Sequence, residues 1–167
     1  MNAAIKEVHG EYAMSSAAVS SVKALRARAL SIVDGVRPLA LLLGRLSVGL
    51  LFLSTGWGKV HDIPKVTHFF ETLGIPMPGL NAVVVGYSEL LCGTALVVGL
   101  LSRLATVPLI VSMTVALVTA KASDIHGVFD LVGQDEFTYL VVLVMIAVLG
   151  PGSIALDRFI AQKLEES

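Results

Sequence analysis

Four stretches of this sequence run for about 20 residues with almost no charge, the length an α-helix needs to cross the hydrocarbon core of a bilayer. They are residues 38–58, interrupted only by Arg45; residues 80–101, interrupted only by Glu89; the uncharged residues between Arg103 and Lys121; and the segment between Glu136 and Asp157. The third is short, but the cations at its ends can snorkel to the interface. Composition agrees with this reading. The 167 residues are 55% hydrophobic and 15% charged, with a mean hydropathy of +0.83, whereas a soluble domain carries about 25% charged residues. Twelve cations and thirteen carboxylates cannot cover so apolar a body, so part of its solvent is lipid.

The same numbers exclude several classes. A net charge of −1 offers no basic surface for phosphates, so no nucleic-acid partner is expected. A single cysteine rules out an internal disulfide and a cysteine-based zinc or iron–sulfur site. None of the four histidines, His9, His61, His68 and His126, falls inside a span, which excludes a membrane b-type haem held by two histidines. No glycine-rich phosphate loop follows a strand.

The expected fold is therefore all-α: an integral membrane four-helix bundle with an N-terminal amphipathic helix. Residues 1–36 form a cytoplasmic arm, 37–160 the four-span domain and 161–167 a tail. In the arm, Val19, Val22, Leu25, Ala29, Ile32, Val33 and Val36 recur at helical spacing beside Lys23, Arg26 and Arg28, the pattern of a helix lying on a membrane surface. Spans two and three meet in a tight hairpin, whereas residues 59–79 form a long connection broken by Gly74, Pro76, Pro78 and Gly79. With both termini on one side, that side carries Lys6, Lys23, Arg26, Arg28, Arg37, Arg103, Arg158 and Lys163, against Lys59, Lys65 and Lys121 on the other. The excess places both termini in the cytoplasm.

Charges at membrane depth are costly and face a bundle interior. In the first span Arg45, Gly49, Phe52, Gly56 and Lys59 share one stripe; in the second, Ala82, Gly86, Glu89, Gly93, Leu96 and Leu100 do. Gly49, Gly56, Gly86 and Gly93 would let the two helices approach closely. Counting from the cytoplasmic ends puts Arg45 about 10 Å deep and Glu89 about 18 Å deep. An arginine can bridge that gap, so Arg45 and Glu89 are expected to form a buried ion pair. The pair either fixes helix register or takes part in chemistry. Lys59, Lys121, Asp124 and Glu136 are expected to gather at the outer mouth. His61 and His126 there are weak metal candidates, on separate loops and without HxH or HxxxH spacing, so solvated histidines are the better reading. Cys92 reads as a buried, inert thiol.

The run from Arg45 through Gly49, Phe52 and Gly56 to Lys59 resembles the opening helix of the DoxX family of small four-helix membrane proteins. The resemblance continues through Gly86-Tyr87-Ser88-Glu89 and Gly93, then Gly99 to Arg103, Asp135-Glu136-Phe137, and Gly150-Pro151-Gly152 to Asp157. The family includes subunits linked to thiosulfate:quinone oxidoreductase, and relatives tied to thiol and oxidative-stress defence. The resemblance implies a membrane subunit of a quinone-linked oxidoreductase system in a bacterial or archaeal plasma membrane. Quinone would be a non-covalent cofactor, with lipid and other protein subunits as partners. It assigns no catalytic residue, and the chain by itself holds no complete redox site. A non-catalytic anchor or assembly subunit is the alternative; a small transporter or metal-handling protein is the third.

Overall fold

The computed structural model describes residues 2–165, with side chains described at 19–160, 162 and 163. Among the described residues there is no β-strand. The helices are α1 (Asn2–His61), α2 (Ile63–Thr72), α3 (Pro78–Val98), α4 (Ser102–Val118), α5 (Val128–Val132), α6 (Asp135–Leu149) and α7 (Leu156–Glu165), with a 3₁₀ turn at Ala122–Asp124. Two compact units divide at the Pro38–Leu39 junction. Within the first, the side chains of Val22, Leu25, Ile32 and Val33 are all more than half exposed.

In the second unit, one core draws on four helical segments. Val48 and Phe52 from α1, Leu96 from α3, Ala105 and Leu109 from α4, and Leu143 and Ile146 from α6 pack together. The polarity of this unit is inverted relative to a soluble domain. Arg45, Glu89, Ser102 and Thr106 are buried, while Leu43, Leu50, Leu91, Leu104, Val118 and Val148 stand on the outside. Lipid tails solvate such an exterior without cost, whereas charge must turn inward. Residues 19–61 and α3 contain stretches long and apolar enough to cross a membrane, and α4 is a shorter apolar helix.

Glycines set the register of α1 against α3. A Cβ added at Gly49 would stand 3.0 Å from the Val97 backbone nitrogen; at Gly93 it would meet Leu53 N at 2.5 Å; at Gly56, Leu90 Cα at 2.7 Å. Gly86 lies beside Lys59 and Val60. Position 49 thus faces 97, 53 faces 93, 56 faces 90 and 60 faces 86. Glycines from the two helices alternate along an antiparallel crossing with backbones in contact, the arrangement small residues permit in lipid.

Helix ends depart from the expected spans for local reasons. α3 stops at Val98 because Gly99 takes a left-handed φ of 79°, the usual way a helix ends on glycine. Leu101 also has positive φ, at 48°. The carboxylate of Asp157 fixes this turn, accepting hydrogen bonds from the backbone N–H groups of Leu101 (2.7 Å) and Ser102 (3.2 Å) at the start of α4. The Asp157 N–H donates to Gly99 O at 3.0 Å. The fourth apolar stretch does not stay helical as far as Asp157: α6 ends at Leu149, where Gly150 has φ 83° and Gly152 has φ 84°. The long connection at 59–79 is itself partly helical. Asp62 caps α2 by accepting from Lys65 N at 3.2 Å, and α2 packs on α3.

Candidate functional site

The buried carboxylate on α3 finds a partner different from the expected one. Glu89, 1% exposed, pairs with the ammonium of Lys59 and accepts a 2.9 Å hydrogen bond from Thr55 Oγ1. All three groups lie where α1 faces residues 86–90 of α3. The expected Arg45–Glu89 pair is therefore corrected. Arg45 faces Gly99, where its Nη1 would stand 2.6 Å from an added Cβ, and it donates from Nη1 to Pro151 O at 2.9 Å. Gly99 lies ten residues from Glu89, or about 15 Å along a helix. The expectation aligned the two helices by their apolar ends, whereas the interleaved glycines shift them by about two turns.

The Lys59–Glu89 pair opens onto a cavity of about 560 Å³. Each wall contributes one face of an element. From α3 come Asn81, Val84, Val85, Ser88 and Glu89; from α4 and the Thr119 that caps it, Pro108, Val111, Ser112 and Val115. These recur every three or four residues, as one side of a helix must. The end of α2 and the turn after it, 70 and 73–76, close one side. That turn is held by Gly74 at φ 68°, by Ile75 N donating to Phe70 O, and by Asn81 Nδ2 donating to Pro76 O at 2.6 Å. The result is an apolar chamber whose one charged feature is an ammonium–carboxylate pair, with the Ser88 and Ser112 side chains also in its lining.

The set expected at the outer mouth divides. Lys59 belongs to the chamber. Lys121 pairs with Glu136 at 3.8 Å, and Asp124 accepts a hydrogen bond from Ser123 at 3.4 Å. His61 is hydrogen-bonded to Trp57 O at 2.9 Å and packs against the Trp57 ring at a tilt of 35°. The backbone N–H of His126 donates to Asp130. Among the described residues no three His, Cys, Asp or Glu side chains converge as a metal site would require, so neither histidine has a ligand set around it. Cys92 is partly buried and packs against the core.

Sequence reasoning missed Lys59 as the partner of Glu89, the contributions of Thr55, Ser88 and Ser112, and the part played by the 70–76 turn. The signal for the first was present. Lys59 lies on the same stripe as Gly49 and Gly56, and interleaving that stripe with Gly86 and Gly93 brings it beside Glu89.

A helical fold with inward charge, an apolar exterior and a chamber at a buried ion pair has the design of a membrane protein. Comparison with known proteins agrees. The DoxX family model matches residues 40–122. The uncharacterized membrane protein Rv3486 of Mycobacterium tuberculosis is 34% identical over 130 residues, covering 71% of this chain and 80% of the relative. The inner membrane protein YphA of Escherichia coli is 29% identical, covering 73% and 91%. A Bacillus subtilis protein named "Putative oxidoreductase CatD" is 30% identical, covering 71% and 85%. No solved structure matches the chain. The chain belongs to the DoxX family and is a membrane protein. The matched region contains Arg45, Lys59 and Glu89; Glu136 and Asp157 lie beyond it.

Proposed function

We propose that this protein is a membrane subunit of a quinone-linked oxidoreductase system and that its chamber receives the quinone headgroup. The four apolar segments then cross the plasma membrane as one bundle, with both termini on the cation-rich cytoplasmic side. The observation that carries the reading is the Lys59–Glu89 pair in the wall of an otherwise apolar cavity. Its volume lies in the range of small-molecule sites, about 300–1,000 Å³. A quinone enters from lipid, needs apolar walls for its ring, and presents carbonyl oxygens that only donors can satisfy. Lys59 supplies an ammonium donor, and the hydroxyls of Ser88 and Ser112 are further candidates. Glu89, buried and hydrogen-bonded by Thr55, holds the ammonium in place and is a proton carrier beside the carbonyl.

Reduction of a quinone to a quinol takes two electrons and two protons. The chain can serve the protons through Lys59 and Glu89. With one cysteine and no dinucleotide-binding motif, it depends on another subunit for the electrons. The name of the Bacillus subtilis relative is consistent with redox work.

A direct test is to purify the full chain in mild detergent, extract bound quinone and quantify it. About one quinone per chain, reduced at least tenfold in Glu89→Gln, is the expected result. Equal retention in both proteins, or none in either, overturns the reading. A second reading, that of a non-catalytic anchor, is favoured by residues 19–36, whose apolar side chains Val22, Leu25 and Ile32 are exposed beside Lys23, Arg26 and Arg28. Such a surface suits the membrane interface or a neighbouring subunit.

A further inference from the structure

A second cavity lies at the other end of the same helical core and has a different chemistry. Its volume is about 610 Å³, and Arg45, Ser153, Ile154, Arg158, Phe159 and Gln162 are among its lining residues. Arg45 is 3% exposed, and its Nε is buried with no hydrogen-bond partner. Its one described hydrogen bond runs from Nη1 to the Pro151 carbonyl, a neutral acceptor. The oxygens of Asp157, next to Arg158 in sequence, accept from the backbone N–H groups of Leu101 and Ser102. Arg158 has no carboxylate partner among the described ion pairs. Two guanidinium groups therefore meet one cavity that has no carboxylate in its lining.

We propose that this cavity binds the phosphate of an anionic phospholipid. Four observations converge on that chemistry. A buried arginine is costly unless an anion completes its coordination, and planar guanidinium groups recognise phosphate oxygens in preference to other partners. Ser153 and Gln162 add neutral hydrogen-bonding groups. Ile154 and Phe159 supply apolar wall, which a free inorganic anion cannot use but the glycerol and acyl portions of a lipid can. The cavity also sits at the end of α3, with Val98 in its lining, and beside the Gly150–Gly152 turn that follows α6, which the proposed topology puts at the headgroup level. Basic pockets at this level between spanning helices are a recurrent form of headgroup site.

The backbone is shaped around the arginine. Gly99, at φ 79°, leaves space that a Cβ would take from the Arg45 guanidinium. The Gly150-Pro151-Gly152 turn, with both glycines at positive φ, presents the carbonyl that holds Nη1. One face of the guanidinium group is thus fixed by the protein. This site shares no residue with the chamber at Lys59 and Glu89 and stands independently of the quinone reading.

The test is native mass spectrometry of the full chain, delipidated in detergent and then titrated separately with phosphatidylglycerol, phosphatidylcholine and inorganic phosphate. Because Arg45 is buried and its loss can impair folding, the decisive variant is Arg158→Gln, an exposed position. Lys65→Gln, exposed on α2 and outside the cavity, is the control. Saturable binding of phosphatidylglycerol over phosphatidylcholine is expected. It should weaken about fivefold in Arg158→Gln, the ratio that one cation near an anionic headgroup provides, and stay unchanged in Lys65→Gln. Equal binding of the two lipids, or an Arg158→Gln variant indistinguishable from wild type, overturns the proposal. Inorganic phosphate displacing phosphatidylglycerol at equal concentration overturns the lipid as the occupant, leaving a free phosphate site.

Discussion

Replacing Lys59 by Met leaves Glu89 buried at 1% exposure with only the Thr55 hydroxyl to support its charge. Losing one partner of a buried ion pair costs about 3–5 kcal/mol. Lys59 is 30% exposed on its side chain, so water shares in its solvation and the low end, about 3 kcal/mol, is expected for Lys59→Met. Glu89→Gln keeps a hydrogen-bond acceptor for Thr55 and leaves the Lys59 ammonium, 30% exposed, to be solvated by water, for about 1–2 kcal/mol. The double variant has no unpaired buried charge, so its loss should fall short of the sum by about 1–3 kcal/mol, the coupling typical of contacting residues. A parallel cycle with Arg45→Met and Glu89→Gln should be additive to within about 0.5 kcal/mol, because groups more than about 10 Å apart rarely couple. Both cycles can be read by SDS titration of the folded protein in mixed micelles, following helicity. Coupling between Arg45 and Glu89, or its absence between Lys59 and Glu89, would refute the register on which the site rests.

Three further substitutions probe the same scaffold. Gly56→Val brings a side chain against the Leu90 backbone, where no rotamer relieves the overlap; it should abolish a monodisperse size-exclusion peak, whereas Gly58→Ala, with nothing within 4 Å, should be neutral or up to about 1 kcal/mol more stable. Asp157→Ala leaves the Leu101 and Ser102 N–H groups without their acceptor and should cost about 1–2 kcal/mol; hydrogen exchange accelerated at residues 99–104 and not at 86–93 would locate the effect.

Much of this protein is legible in its sequence. The apolar runs, the inward stripes and the small residues at Gly49, Gly56, Gly86 and Gly93 follow from hydropathy and the period of a helix, which are local properties. The chamber was less legible. Its lining joins faces of α3 and α4 to the turn at 70–76, and periodicity marks a face without saying which neighbour it meets. Helix ends were also blurred: Gly99 and Gly150 stop their helices through positive φ inside sequence that remains apolar, so hydropathy carries no mark of the stop.

By itself, the sequence determined that the protein is helical, lives in a membrane and carries its few internal charges on inward stripes. Only the tertiary structure decided which charges meet. Sliding one helix past another by two turns leaves each helix's hydrophobicity unchanged, so composition cannot choose the register. Backbone contact between interleaved glycines can. That contact sets Glu89 against Lys59, leaves Arg45 to the Pro151 carbonyl, and places two cavities of different chemistry at opposite ends of one core.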